Sequence, residues 1–129
     1  MVRYEFEGSG PAVDESAQVA RDATLVGDVE VGADASVWPG AVLRGDVAPV
    51  RVGAEAHVGD NAVLHATVAG DRVMVGHGAV CNDADVGDGV LVGFNATVMG
   101  GSVGERSIVA AGTVVPEEYE IPDEAFAGG

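Results

Sequence analysis

The 129-residue sequence contains no lysine, one cysteine and few aromatic side chains. All six basic residues are arginines, they face 21 acidic residues, and the formal net charge is −15 at pH 7. Nucleic acids and anionic membrane surfaces bind clustered cations, so neither is expected as a partner. The single cysteine, Cys81, excludes an intrachain disulfide and a cysteine metal cluster. Aromatic residues make up 5% of the chain, so large rings do not build its core.

Long apolar runs are also missing. No stretch approaches the ~20 apolar residues that a transmembrane helix needs, and residues 1–7 do not resemble a signal peptide. The length and a hydrophobic fraction of 47% indicate one folded domain, and we expect it to be cytoplasmic. Its dispersed carboxylates repel one another unless salt screens them, which indicates a halophilic protein adapted to a high-salt cytoplasm. The alternative is a protein that is simply acidic.

Apolar residues recur at fixed intervals along nearly the whole chain. The interval is six residues up to Leu43, and after an interruption near residues 47–51 it runs six, six and five, a 17-residue repeat. An amphipathic helix would repeat every 3.6 residues and a half-buried strand every two, so neither explains the pattern. These apolar anchors are Val13, Val19, Leu25, Val31, Val37, Leu43, Val52, Val58, Leu64, Ala69, Val75, Cys81, Val86, Val92, Val98, Val103, Val109 and Val115.

The repeat predicts an all-β fold, a parallel β-solenoid with three short sides per turn and ~6 turns. Anchors should point into the column, together with the small residues that recur four positions after them. Glycine, frequent one position after an anchor, should allow the chain to bend through backbone angles closed to other residues. Residues 1–129 form one domain: residues 1–11 cap the column, residues 12–115 form the coils, and residues 116–129 form an exit segment without an amphipathic helix.

Three histidines stand out in so plain a composition. The repeat places His65 and Asn82, 17 residues apart, one above the other on the same side of the column. Asp60 and His77 stack in the same way on a different side. His77 therefore cannot easily meet His65 within one column, but it could meet it across a boundary between two subunits. His57 falls in yet another column.

A second candidate cluster combines Arg44 and Asp46 with Asp60. The planar guanidinium group of an arginine can bind two carboxylates and so hold neighbouring strands or an interface in register. Such a group is more often a scaffold than a catalytic device, and the residues alone leave both interpretations open.

The segments 36–46, 58–65, 75–80 and 92–99 resemble the γ-class carbonic anhydrases, and the likeness covers nearly the whole chain. The hexapeptide repeat alone is unspecific, because many acyltransferases share it, whereas the Arg-Gly-Asp segment with two spaced histidines is more specific. The resemblance implies a left-handed parallel β-helix, a homotrimer, and hydration of CO2 to bicarbonate by a divalent metal, zinc in the first place, bound between subunits.

By position, the resemblance assigns His65 and His77 to two of the three histidine ligands and places Asn82 at the third. It also assigns catalytic positions to Arg44, Asp46 and Asp60. The sequence departs from the family where Asn82 offers an amide oxygen, a poorer match for zinc than imidazole. It also has Gly59 where the family has a glutamine that orients metal-bound solvent, and it lacks the family's C-terminal helix.

Three functions therefore stay open. The first is a carbonic anhydrase-type enzyme. The second is a non-catalytic trimeric homologue that has lost a metal ligand at Asn82. The third is a hexapeptide-repeat acyltransferase or thioesterase, which the scarcity of basic residues disfavours, because a coenzyme A phosphate site draws on Lys or Arg.

Overall fold

The computed structural model describes all 129 residues and consists of 19 short strands without a helix. The strands are β1 (Val2–Tyr4), β2 (Ala12–Val13), β3 (Gln18–Val19), β4 (Thr24–Val31), β5 (Ser36–Val37), β6 (Val42–Val52), β7 (His57–Val58), β8 (Val63–His65), β9 (Val68–Ala69), β10 (Met74–Val75), β11 (Val80–Asn82), β12 (Ala84–Val86), β13 (Leu91–Val92), β14 (Thr97–Val98), β15 (Gly101–Val103), β16 (Ile108–Val109), β17 (Val114–Val115), β18 (Glu120–Ile121) and β19 (Phe126–Ala127).

The strands form three parallel faces of a triangular column. Face 1 has seven strands in the order β3, β5, β7, β10, β13, β16 and β19. Face 2 runs from β1 through the first halves of β4 and β6 to β8, β11, β14 and β17. Face 3 runs from β2 through the second halves of β4 and β6 to β9, β12, β15 and β18. Seven coils therefore stack on one another, and the expected left-handed parallel β-helix is confirmed.

The core is one apolar cluster of 29 buried residues along the axis of the column. Anchors such as Leu25 and Leu64 are wholly buried, as are small residues such as Ala41 and Ala62, which confirms both inward columns. Their burial stabilises the fold by about 25 cal/mol per Å² of apolar surface. Cys81 is one of these anchors, and burial raises the pKa of its thiol to about 12, so it serves as a small apolar side chain.

The glycines that directly follow an anchor do not adopt the left-handed backbone angles that were expected of them. Left-handed backbone angles occur at the third residue after an anchor, for example Gly78 (φ 71°) and Asn95 (φ 57°). A glycine directly after an anchor instead allows two coils to approach closely. A Cβ atom at Gly53 would lie 2.5 Å from the carbonyl oxygen of Gly70 in the next coil.

Two regions depart from the regular repeat. Gly27 pairs with Gly45 and Val29 with Val50, so residues 46–49 bulge out opposite a single residue of the preceding coil. The ladder also continues beyond the anchor at 115, because β18 pairs with β15 and β19 with β16. Residues 116–129, expected as an exit segment, thus complete a further coil. The structure contains no helix long and apolar enough to span a membrane.

Candidate functional site

His65 and Asn82 lie at the same end of two neighbouring strands on face 2. Parallel pairing of β8 with β11 puts the two residues in register, as their spacing predicts. The Nδ1 atom of His65 lies 2.7 Å from the Oδ1 atom of Asn82. Two potential metal donors, one nitrogen and one oxygen, therefore converge at the edge of this face.

Arg44 and Asp46 complete this cluster from the coil below. Asp46 Oδ1 lies 3.0 Å from His65 Nε2, and Arg44 Nη2 lies 3.2 Å from the same nitrogen. Arg44 Nε is 3.4 Å from Asp46 Oδ2. Desolvation opposes the charged form of Asp46, but hydrogen bonds from the Val47 N–H and from His65, together with the Arg44 charge, hold the pKa of Asp46 below its usual value. The bulge of residues 46–49 is what brings this carboxylate to the histidine.

His77 lies elsewhere, at the turn that follows β10. The backbone N–H of Asp60 donates to His77 Nδ1 at 3.0 Å, and Asp60 Oδ1 is 3.3 Å from the same atom. The ring stacks on Phe94, with centroids 5.1 Å apart and planes inclined by 5°. With the ring fixed and its side chain 62% exposed, Nε2 is left available to a group outside the chain.

His57 lies in β7 on face 1, in an outward-facing column. Its Nδ1 is 2.5 Å from Ser36 Oγ, which also accepts a hydrogen bond from the indole N–H of Trp38 at 2.8 Å. Beside it runs a mainly apolar groove of about 460 Å³ that His77 also reaches. This groove was not predicted from the sequence, although the repeat places His57 and Met74 in one outward column. The groove is lined by Trp38, His57, Gly59, Met74, Val75, Gly76, His77, Leu91 and Phe94.

The chain therefore assembles part of the site assigned from the resemblance. Arg44, Asp46, His65 and Asn82 lie together, whereas His77 with its partner Asp60 lies apart. No three His, Cys, Asp or Glu side chains of one chain converge so that they could hold a metal ion. The arrangement fits a shared ion only if a neighbouring subunit supplies the third donor.

Gly59, where the resemblance predicts a glutamine, lies directly beneath His77. A Cβ atom built on it would lie 2.8 Å from the backbone nitrogen of His77 and 2.9 Å from its Nδ1. A side chain here would have to displace the His77 ring or its turn.

Known proteins resemble this chain over most of its length. The family described as hexapeptide repeat of succinyl-transferase matches residues 84–116. The mitochondrial gamma carbonic anhydrase 1 of Arabidopsis thaliana is 39% identical over 131 residues, which cover 92% of this chain and 48% of the plant protein. The chain thus spans about half the length of that relative.

Two solved structures share the fold in full. A hexapeptide transferase family protein from Anaplasma phagocytophilum is 36% identical, with a TM-score of 0.95, and the match covers 98% of this chain and 79% of that one. A putative acetyltransferase from Bacillus cereus is 30% identical, with a TM-score of 0.96 and coverages of 99% and 78%. Repeat, fold and sequence identity agree, and the chain belongs to the γ-carbonic anhydrase-like family of hexapeptide-repeat β-helix proteins.

Proposed function

We propose that the protein is a cytoplasmic enzyme of the carbonic anhydrase type, which hydrates CO2 to bicarbonate at the subunit boundaries of a homotrimer. The observation that carries this proposal is the 2.7 Å approach of His65 Nδ1 and Asn82 Oδ1 beside Arg44 and Asp46. A divalent ion, zinc in the first place, would be held by His65 and Asn82 of one subunit and by His77 of its neighbour. The likeness to plant gamma carbonic anhydrases supports the reaction.

The roles of the chain's own residues follow from their contacts. An ion bound in such a site lowers the pKa of a water molecule to about 7 and so supplies hydroxide at neutral pH. Arg44 is half exposed, and its guanidinium group can bind a planar oxyanion such as bicarbonate through two parallel hydrogen bonds. Asp46 orients His65. For Nε2 of His77 to hold the ion, its Nδ1–H would have to donate to the Asp60 carboxylate, whose Oδ1 lies 3.3 Å away.

A non-catalytic trimeric homologue is the second candidate. The observation that favours it is that both ring nitrogens of His65 already contact side chains of their own chain, namely Asn82, Asp46 and Arg44. An amide oxygen binds zinc less well than an imidazole nitrogen does. In this alternative the hydrogen-bonded cluster takes the place of the metal and serves only to hold the interface together.

Acyl transfer is the third candidate, and the names of the two solved relatives favour it. Against it, the apolar groove beside His57 contains no Lys or Arg that could bind the phosphates of coenzyme A. Titration with acetyl-coenzyme A tests this candidate, and we expect no binding.

The decisive test of the first proposal combines three measurements on the purified protein from zinc-supplemented cultures. Metal analysis, light scattering after size exclusion and stopped-flow CO2 hydration should show one ion per interface, a trimer and hydratase activity. His65→Ala and His77→Ala should each lose the ion, whereas His57→Ala should retain it. A metal-free, inactive trimer would contradict the proposed enzymatic function and support the non-catalytic homologue.

Replacement of Asn82 by histidine tests its role as a metal ligand. Asn82→His should raise zinc affinity by more than about tenfold, because loss of a group that only hydrogen-bonds to a metal ligand already alters affinity by about 10–100-fold. The matched control is Asn82→Gln, which keeps an amide. Competition with a chromophoric chelator measures the affinities. Equal affinity of the native protein and Asn82→His would show that position 82 does not contact the ion.

A further inference from the structure

The bulge at residues 46–49 lies opposite a single residue of the preceding coil, Asp28. The ladder pairs Gly27 with Gly45 before the bulge and resumes at Val50 after it, so both ends of the bulge lie beside Asp28. The backbone is tightly packed there, since a Cβ atom built on Gly45 would lie 2.1 Å from the carbonyl oxygen of Asp28. Contacts of Asp28 therefore act on the point where the bulge begins and ends.

Arg51 follows the bulge and joins these two coils with its guanidinium group. Its Nη1 atom lies 2.9 Å from Asp28 Oδ1, and it donates to the carbonyl oxygens of Asp28 at 3.4 Å and of Val50 at 3.1 Å. Its Nε atom pairs with the carboxylate of Glu30, its strand partner in β4. One planar group with several fixed donors thus ties the residue opposite the bulge to the strand that leaves it.

The charge of Arg51 is satisfied within the chain. The groove that Arg51 lines on face 3 also contains the carboxylates of Asp14, Glu30 and Asp71, and Arg51 is the only basic residue there. Surroundings of this sign repel an anionic ligand. The guanidinium group is therefore an internal tie between coils and not an anion-binding site.

The bulge carries one residue of the proposed site, Asp46, at its first position. The Oδ1 atom of Asp46 accepts from the Val47 N–H at 2.8 Å and lies 3.0 Å from His65 Nε2. No strand pairing places this carboxylate, because residues 46–49 have no partner in the ladders of β6 with its neighbours. A bulge can aim a side chain at a neighbouring site, and here its ends have to be held for the aim to persist.

We propose that Arg51 is a positioning residue of the carbonic anhydrase-type site: by tying the end of the bulge to Asp28, it holds Asp46 against His65. The consequence for metal binding rests on the proposed function, whereas the tie itself concerns this chain alone. Without the guanidinium group the bulge should shift, so that the imidazole of His65 loses the carboxylate that orients it.

Nitrogen-15 NMR of the metal-free protein tests the tie directly. In the native protein the Nε2–H group of His65, bonded to Asp46, should give a signal protected from exchange with water. Arg51→Met should lose this protection, as should Asp46→Ala. The matched control is Arg106→Met, which removes a guanidinium group that also pairs with two carboxylates but lies away from the bulge, and it should leave the signal intact.

Competition with a chromophoric chelator measures the consequence for the site. Arg51→Met should bind zinc about tenfold less tightly than the native protein, the lower end of the effect of losing a group that orients a metal ligand. Arg51→Lys keeps a charge without the planar group, so its affinity should lie between the two. Arg106→Met should bind zinc as the native protein does.

A second variant keeps the test decisive if Arg51→Met does not fold. Asp28→Asn removes the charge that Arg51 binds and leaves Asp46 and His65 unchanged, and it should also reduce the protection of the His65 signal. The two changes act on one tie, so Asp28→Asn combined with Arg51→Lys should lose less than the sum of the separate effects.

The outcomes are distinguishable. A protected His65 signal that persists in Arg51→Met and in Asp28→Asn would overturn the proposal, and so would its equal loss in Arg106→Met or its absence from the native protein. If the native protein binds no zinc and hydrates no CO2, the proposed function fails. The His65 signal alone then decides whether Arg51 holds Asp46 in place.

Discussion

At the scale of single residues, one corner of the column alternates glycine with asparagine in the left-handed conformation. The positions share φ values between 57° and 77°, and each asparagine amide lies over a glycine of the preceding coil. A Cβ atom at Gly78 would lie 2.2 Å from Asn95 Oδ1, whereas one at Gly112 would meet nothing within 4 Å. The five positions are Gly40, Asn61, Gly78, Asn95 and Gly112.

This alternation predicts unequal costs for two formally identical substitutions. Gly112→Ala should lower the free energy of unfolding by about 1–2 kcal/mol, the cost of placing a Cβ in the left-handed region. Gly78→Ala has the same φ of 71° but also collides with Asn95, so its loss should be larger. Urea unfolding measures both. Equal losses for the two variants would show that the asparagine moves aside freely.

At the scale of elements, the last coil is held to the column by a buried serine. The Ser107 hydroxyl donates to the Pro122 carbonyl at 2.6 Å and accepts from the Ala125 N–H at 3.1 Å. Ser107 is wholly buried, so its loss leaves two polar backbone groups without a partner. β18 and β19 therefore depend on one side chain as well as on their ladders.

Ser107→Ala should destabilise the protein by about 1–3 kcal/mol, the usual cost of a buried unsatisfied group. Hydrogen exchange should accelerate first at residues 120–127, because these belong to the coil that the hydroxyl secures. Ser102→Ala serves as control, since Ser102 is half-buried in β15 and its change removes no such pair of bonds. Acceleration spread evenly over all coils would argue against local anchoring.

The coils could be predicted from the sequence because burial repeats position by position. Each anchor and each small residue fills the same space in its own turn, so the 17-residue spacing determines register as well as fold. The stacking of His65 on Asn82 and of Asp60 beneath His77 follows from that register alone. The continuation to residue 127 was not predicted, because Pro116 and the acidic residues after it conceal the last anchor, Ile121.

The rest of the site depends on irregular structure that the repeat does not describe. The approach of Asp46 to His65 arises from the bulge at residues 46–49, whose path the spacing leaves open. The groove that joins His57 to His77 arises where outward side chains of face 1 meet the turn after β10. Outward columns carry no burial pattern, so their contacts have to be read from the structure.

At the scale of the whole molecule, the charges are far from balanced. Three arginines, Arg44, Arg51 and Arg106, make ion pairs, and together they engage five carboxylates. The chain has 21 acidic residues, so most of its carboxylates have no arginine partner. Their mutual repulsion opposes the compact column and weakens when salt shortens the Debye length.

The free energy of unfolding should therefore rise steeply with salt concentration. Between about 0.1 M and 1 M KCl the Debye length falls from about 10 Å to about 3 Å, and we expect a gain of about 2 kcal/mol, or at least about 5 °C in Tm for a domain of this size. Calorimetry over that range measures it. Because salts also strengthen apolar burial, a variant with several unpaired surface carboxylates changed to amides, such as Glu15→Gln with Asp22→Asn, serves as control. If salt acts by screening charges, the Tm of the variant should be higher than that of the native protein in dilute salt and should rise less as salt is added. Parallel curves of Tm against salt concentration for the two proteins would show that salt acts by strengthening apolar burial.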